Sequence, residues 1–426
     1  MLDRTIAPPI HDAVEFTLSL KPYTKHVLKN GLPVYAIHAG AEEVLQLELV
    51  FAAGNSVEAA PGVASAANFM LRNGTQSKTA FELNEHFDYY GAYCTRSCYN
   101  ETALVQLHTL SKHLPHLLPV LREMLTESVF PASELEIYQQ NSLQRLQVNL
   151  QKSDFVANRL IDAYLYGKEH PYGSYLEADH IKQLQRDQLV AHYEQFYLRG
   201  QAMLFIAGKL PDNYVEQLED AFGGLTCTPM QFPLPVPIPS PVTDKKYRIT
   251  NDPNGVQGAI RIARPFPNRH HPDFIPCMVL NTVLGGFFGS RLMSNIREDK
   301  GYTYGIHSYL QNHIGETAWM ISTEAGKDVS EATVVEVYKE MALLREELID
   351  DEELLLVKNY MIGTILGDLD GPFHIIGRWK NILLNQVDEA YFNRTIDTIK
   401  KITAEELQAL AKRYLNPDDF YELVVV

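Results

Sequence analysis

Gly285-Gly-Phe-Phe-Gly-Ser-Arg-Leu-Met-Ser-Asn-Ile-Arg-Glu-Asp-Lys-Gly-Tyr-Thr-Tyr304 decides how the rest of the chain is read. Gly285, Gly286 and Gly289 allow a tight turn or a close backbone approach that a side chain would block. Leu292 and Ile296, with Phe287 and Phe288, give the following helical turn an apolar side. Arg291, Arg297, Tyr302 and Tyr304 are then carried on a fixed scaffold. No Lys-Ser/Thr pair follows the glycines, so a phosphate-cradling loop does not fit. Taken alone, the stretch also reads as a glycine-rich connection with solvated arginines. The choice between these readings depends on the rest of the chain.

At 426 residues the chain is too long for one ordinary core, and two or three domains are expected. Apolar residues make up 46% and charged residues 21%, the balance of a globular protein in water. No apolar run approaches the roughly 18–20 residues of a membrane span, and no membrane role is expected. The N-terminus lacks a basic segment followed by an apolar core, so no signal peptide is read and a cytoplasmic protein is expected. A net charge of −16 argues against a nucleic-acid surface. Cys94, Cys98, Cys227 and Cys277 are scattered, and no second pair or histidine completes a zinc site around the first two. Reduced, structural cysteines are expected.

Lys25 to Ile37 reads as strand, Asn-Gly turn, strand. Leu45 to Phe51 alternates as a half-buried strand does, and Val63 to Leu71 is a buried alanine-rich helix ending at Asn73-Gly74. Further helices are expected at 81–89, 113–128, 133–148 and 186–197, with strands within 92–110 and 202–207. Prolines at 229, 233, 235, 237, 239 and 241 then mark an extended linker. Beyond it the pattern restarts. Val256 to Ile262 repeats the earlier strand, with Ile262 set beside Val50. Phe274 to Leu284 repeats the earlier helix, and Ile399 to Leu407 repeats Ile181 to Leu189. These spacings, near half the chain length, point to an internal duplication. The expected class is α+β: two homologous domains, 1–228 and 246–426, joined by a proline-rich linker over 229–245. Each is a mainly antiparallel sheet with helices on one face.

This organisation, together with two motifs, resembles the pitrilysin/insulinase-type (M16) zinc metallopeptidases in their short two-domain form. The family pattern Gly-x-Ala-His-x-x-Glu-His-Met-x-x-x-Gly-Thr is matched by Gly62-Val-Ala-Ser-Ala-Ala-Asn-Phe-Met-Leu-Arg-Asn-Gly-Thr75. Gly62, Ala64, Met70, Gly74 and Thr75 keep the frame. His170-Pro-Tyr-Gly173 and the opening stretch through Tyr304 match as well. In HxxEH, two imidazoles on successive turns hold zinc, and the glutamate takes a proton from the bound water. Here those positions are Ser65, Asn68 and Phe69. The third ligand, a glutamate further along, falls near Gln144-Arg145 and is also absent. No metal is therefore expected in this chain. His108, His113 and His116, the group Glu82, Glu85 and His86, and the His270-His271 pair offer no better ligand set. Ser65 lacks a paired base in its motif, which argues against a nucleophile.

In two-chain members of the family, one subunit carries the zinc and the other has lost its motif. The resemblance implies that this chain is of the second kind. It implies a retained arginine and tyrosine, Arg297 and Tyr304, reaching into the cleft of an HxxEH-bearing partner. There they would donate hydrogen bonds to the substrate carbonyl. Gly285, Gly286, Phe287, Ser290 and Arg291 are the accompanying candidates for substrate or subunit contact. The expected partners are that zinc-binding subunit, or a second copy of this chain, and an extended peptide. A structural or peptide-binding scaffold without proteolysis is the alternative.

Overall fold

Residues 11–230 and 244–426 are described by the computed structural model of the chain. Two sheets form, one in each half. The first half contributes strands β1 (Thr24–Val27), β2 (Pro33–His38), β3 (Val44–Phe51), β4 (Tyr93–Cys98), β5 (Ala103–Leu110), β6 (Gln201–Gly208) and β7 (Thr228–Pro229). Its helices are α1 (Val63–Met70), α2 (Ala80–Tyr89), α3 (Leu114–Thr126), α4 (Ala132–Asn149), α5 (Ser153–Tyr166), α6 (Ala178–Gln183), α7 (Arg186–Tyr193) and α8 (Tyr214–Phe222). The second half contributes β8 (Lys246–Ile249), β9 (Gln257–Phe266), β10 (Thr303–Asn312), β11 (Thr317–Gly326) and β12 (Tyr421–Val425). Its helices are α9 (Phe274–Asn281), α10 (Ser330–Glu346), α11 (Asp351–Gly367), α12 (Pro372–Leu384), α13 (Tyr391–Lys401) and α14 (Ala404–Tyr414).

The strand orders repeat. The first sheet runs β1-β2-β6-β3-β5-β4, with β7 also on β6, and the second runs β8-β12-β9-β11-β10 when read in the same sense. In each, a parallel pair (β2 with β6, β8 with β12) sits beside an antiparallel series, and the short β7 adds a second parallel pairing on β6. The same succession of three long helices, two shorter ones and a closing strand follows β5 and β11. The two-domain α+β duplication is therefore present in the fold. The proline run lies mostly outside the described residues; Pro229, at its start, belongs to β7.

Helices on one face is an incomplete description, because each sheet is covered on both. The own-half helices cover the face of Leu47, Leu49 and Phe51 in β3 and of Ile260 and Ile262 in β9. The opposite face of each sheet receives a helix from the other half. α12 packs on β2 and β6, and its counterpart α5 packs on β9 and β12. Consequently β3 is buried along its length after Val44, not half-buried. A strand with two covered faces loses the alternation that marks its register. That explains a slip in the expected alignment of the halves. Glu48, on the α12 side, accepts from Lys380 Nζ at 2.7 Å, so Val50 faces α12 too. Arg261, on the α5 side, donates from Nε to Asn158 Oδ1 at 2.7 Å, so Ile262 faces its own helices. Val50 and Ile262 are thus on non-equivalent faces, and Val50 corresponds in facing to Arg261.

A second set of contacts closes the far end. The β4–β5 and β10–β11 hairpin tips carry the repeated triplets Glu101-Thr-Ala103 and Glu316-Thr-Ala318 and meet one another. Ile314 N–H donates to Glu101 Oε1 at 3.0 Å, and Asn100 Nδ2 to His313 Nδ1 at 3.1 Å. Tyr172, from the His-Pro-Tyr-Gly loop, stacks on His313 with ring centroids 4.1 Å apart and donates to Glu101. Burial and the nearby His170 push the His313 imidazole down to about 4, so it is neutral at neutral pH.

Glu48 is buried and Lys380 is its cationic partner across the halves. Lys380→Ala leaves that carboxylate uncompensated and is expected to lower the unfolding free energy by about 3 kcal/mol. Adding Glu48→Gln to the same chain should recover most of the loss. A urea-unfolding midpoint unmoved by Lys380→Ala would contradict the lock.

Candidate active-site face

The first candidate face is built on α1. Gly62 sits at φ +91° just before the helix, and a Cβ there would also meet Leu176 at 2.7 Å. No side chain of Gly62 can cap the helix, and Glu58 does so instead, its Oε2 accepting from Gly62 N–H at 3.1 Å and Ala64 N–H at 2.9 Å. Burial raises the Glu58 carboxyl to about 7 against the opposing pull of these amides. It lines a cleft of about 310 Å³ with Ser65, Lys168, Ser174 and Tyr175.

Ser65, Asn68 and Phe69 share one side of α1, as an i, i+3, i+4 set must. Ser65 Oγ donates to Asn55 Oδ1 at 3.3 Å. Asn68 is 2% exposed, and its Nδ2 donates to the Tyr197 hydroxyl at 3.0 Å and the Leu104 carbonyl at 3.3 Å. The Phe69 ring lies between Tyr138, 5.1 Å away by centroid, and the Arg96 guanidinium, 5.1 Å from the ring. Arg145, at the third-ligand position on α4, donates from Nη2 to Ser142 Oγ at 3.2 Å. Cys98 borders the set, its thiol pushed up to about 12 by burial and bonded to Asn55 Oδ1 at 3.4 Å. An amide tied to a phenol, a phenyl ring beside a cation and a protonated thiol do not fit a zinc ion. No group of three His, Cys, Asp or Glu able to hold a metal occurs among the described residues. Arg96, Tyr138 and Cys98 had no sequence signal here, because β4 and α4 reach this face only through tertiary packing.

The second face is the stretch from Gly285 to Tyr304. It is anchored by a buried network in which Ser308 Oγ donates to Asn281 Oδ1 at 2.7 Å and accepts from Trp319 Nε1 at 2.8 Å. Asn281 Nδ2 returns to the Ser308 carbonyl at 3.0 Å. Gly285 packs so closely on β10 that a Cβ would meet the Ser308 amide nitrogen at 2.8 Å. A wide helical turn over Met293–Asp299 follows and stops at Gly301, φ +63°, whose N–H donates to the Arg297 carbonyl at 3.2 Å. Gly285 and Ser290 are buried, and Arg291 is held by Glu353 through two bonds of 2.8 Å. Phe287 stacks on Tyr360 at 4.7 Å, while Gly286 and Phe288 are exposed. Arg297 rests 4.6 Å over the Phe288 ring and pairs with its chain neighbour Glu298 at 2.5 Å. Tyr304 opens the edge strand β10 with 93% of its surface exposed. The stretch therefore divides into a buried scaffold and a presented set, Phe288, Arg297 and Tyr304.

Two sheets of duplicated topology thus carry Ser65, Asn68 and Phe69 at the HxxEH positions of α1, and Phe288, Arg297 and Tyr304 on the glycine-anchored stretch. Residues 34–176 match the family described as insulinase (peptidase family M16), and residues 183–361 match the peptidase M16 inactive domain. The chain belongs to the peptidase M16 family. It is similar to the zinc protease YmxG of Bacillus subtilis (strain 168), described as uncharacterized, at 23% identity over 86% of this chain and 88% of the relative. It is also similar to the probable mitochondrial-processing peptidase subunit beta of Schizosaccharomyces pombe, at 24% identity over 64% of this chain and 60% of that protein. The crystal structure of a peptidase M16 inactive domain from Pseudomonas fluorescens superposes with a TM-score of 0.84 at 24% identity, over 95% of this chain and 98% of that one. No helix among the described residues is long and apolar enough to cross a membrane.

Glu58 gives a signed pH effect. Its folded-state value of about 7 lies above the ordinary 4.5, so its stabilising contribution is complete below 4.5 and is lost as pH rises through 7. Relative to Glu58→Gln, the unaltered chain is expected to lose stability across that interval. Thermal unfolding of both proteins across the same range checks it, and a constant difference between them refutes the assignment.

Proposed function

We propose that this chain is the zinc-less subunit of a two-chain M16 peptidase, completing the active site of an HxxEH-bearing partner. The observation that carries this reading is the contrast between the two faces. Asn68 is buried and bonded to Tyr197, and Phe69, though 38% exposed, lies between Tyr138 and Arg96, whereas Tyr304 is 93% exposed and Arg297, in the same Gly285–Tyr304 stretch, lies over Phe288. The first face has been converted to structure, and the second remains available to a ligand.

The partner supplies the zinc and its chemistry. This chain's part is to donate hydrogen bonds. A guanidinium and a phenol that meet a peptide carbonyl stabilise the negative charge that develops on its oxygen as the bond is attacked. Arg297 is suited to this because its planar fork is oriented beforehand by Phe288 and Glu298. Tyr304, at the start of an edge strand, can reach a second chain without rearrangement of its own backbone. The similarity to a protein named as a mitochondrial-processing peptidase subunit supports the two-chain reading.

Mixing the purified chain with its HxxEH partner should give peptide cleavage that neither shows alone. Arg297→Ala and Tyr304→Phe should each lower kcat by about a hundredfold while the complex still forms by native mass. Full activity of the partner alone, or of complexes containing both substitutions, would sink the proposal.

A further inference from the structure

A cavity of about 100 Å³ opens among α11, α12 and α13 in the second half, lined by none of the residues of the two candidate faces. Met278, Ile365, Ile382 and Phe392 give it apolar walls. Its polar lining is of another kind. Arg269, from the loop between β9 and α9, Arg378 on α12 and Tyr391 at the start of α13 all border it. Arg269 Nε, Arg378 Nε and the Tyr391 hydroxyl are buried, and none of them has a hydrogen-bond partner. Buried polar atoms in folded proteins are nearly always bonded, so three such atoms around one cavity call for a common explanation.

The two guanidiniums are held from behind. Arg269 lies over the Phe274 ring, 5.6 Å from its centroid, and Arg378 over the Phe392 ring at 5.9 Å. Arg378 also donates from Nη2 to Asp368 Oδ2 at 2.6 Å, which balances its charge. Nothing balances Arg269. It forms no ion pair among the described residues, and the titratable group that acts on it is the Tyr391 phenol, which stays outside hydrogen-bond geometry. The carboxylates of neighbouring segments are committed. Asp273 accepts from Arg413 Nη1 at 2.5 Å and from the Tyr414 hydroxyl at 2.7 Å, and Asp388 accepts from Arg394 at 2.7 and 2.8 Å. Burial pulls the Arg269 guanidinium below its ordinary value, yet a guanidinium keeps its proton, and a desolvated cation without an anion disfavours the fold.

We propose that Arg269, Arg378 and Tyr391 form a binding site for a phosphate group. The three donors come from three different elements. A tetrahedral oxyanion offers oxygens in several directions at once, whereas a carboxylate offers two in one plane. The volume suits a group of a few heavy atoms and excludes a peptide segment. The phosphate is either the free inorganic ion or the end of a monoester whose remainder stays in solvent. Binding also has a structural consequence. Two residues beyond Arg378, α12 carries Lys380, the partner of Glu48 in the other half. An anion that ties α12 to α13 and to the β9–α9 loop fixes the helix that covers the first sheet. None of this depends on the function proposed above.

The test uses the full chain alone at neutral pH and constant ionic strength, so no cleavage assay enters it. Inorganic phosphate, glycerol phosphate and acetate are titrated by calorimetry, and thermal unfolding is followed with each. At least one phosphate ligand should bind saturably, about tenfold or more tightly than acetate, and should raise the unfolding temperature. Tighter binding of inorganic phosphate identifies the free ion, and equal or tighter binding of glycerol phosphate identifies the monoester end. Arg269→Gln should abolish binding and the thermal shift, and Tyr391→Phe should weaken both several-fold. Arg269 has no bonded partner to lose, so its variant is expected to fold, which circular dichroism checks. Should it not fold, Tyr391→Phe decides in its place. No saturable phosphate binding, acetate bound as tightly as phosphate, or binding unchanged in the folded variant overturns the proposal.

Discussion

The reciprocal crossing of α5 and α12 is the constraint on which the rest of the architecture depends. Each helix belongs by chain order to one half and by packing to the sheet of the other. A sheet with one bare face would expose a broad apolar surface, and here each half supplies the cover the other lacks. The central strands record the exchange in polar form. Glu48 on β3 finds its cation, Lys380, on α12, and Arg261 on β9 finds Asn158 on α5. Unpaired, a buried carboxylate or guanidinium would strongly disfavour the folded state. The halves are therefore mutually dependent despite their duplication, and the contact between hairpin tips at Glu101, Tyr172 and His313 closes the arrangement at a second point.

This dependence also explains what could be read in the sequence and what could not. The Asn30-Gly31 turn, the alanine-rich α1 and the strand pair over 92–110 were legible, because each is a local matter of turn chemistry or period. The duplication was legible because its elements recur in order. The role of α5 was not: Ser153 to Tyr166 carries an ordinary helical pattern, and nothing within it says which sheet it covers. The slip between Val50 and Ile262 has the same origin. β3 and β9 are buried on both faces, with Gln46, Glu48 and Arg261 among the covered residues, so burial no longer follows the alternation that is the local guide to facing.

For the candidate site, the motif frame located the α1 face, and the residue types there already excluded a zinc set. The structure adds how the vacated positions were reused. Asn68 is satisfied by Tyr197 and Leu104, and Phe69 occupies the space between Tyr138 and Arg96. These partners come from α4, β4, β5 and the segment after α7, each distant in sequence. Their convergence was invisible to spacing arguments. In the Gly285–Tyr304 stretch, spacing treated all the arginines alike, and only packing separates them: Arg291 is bound to Glu353 on α11, whereas Arg297 rests on an exposed ring.

That separation bears on why a frame should persist after its metal ligands are gone. Two imidazoles and a carboxylate facing one another without a metal would repel or remain under-bonded, which disfavours the fold. Ser65, Asn68 and Phe69 remove that penalty by making the face self-sufficient. Nothing comparable has happened at Tyr304. An aromatic ring 93% exposed at the edge of a sheet gains almost nothing for the fold of its own chain. Yet the backbone beneath it is fixed by a buried three-residue network, by a glycine pressed against β10 and by a helix stop at positive φ. Rigid support under a side chain with no internal role is what presentation to a second molecule requires.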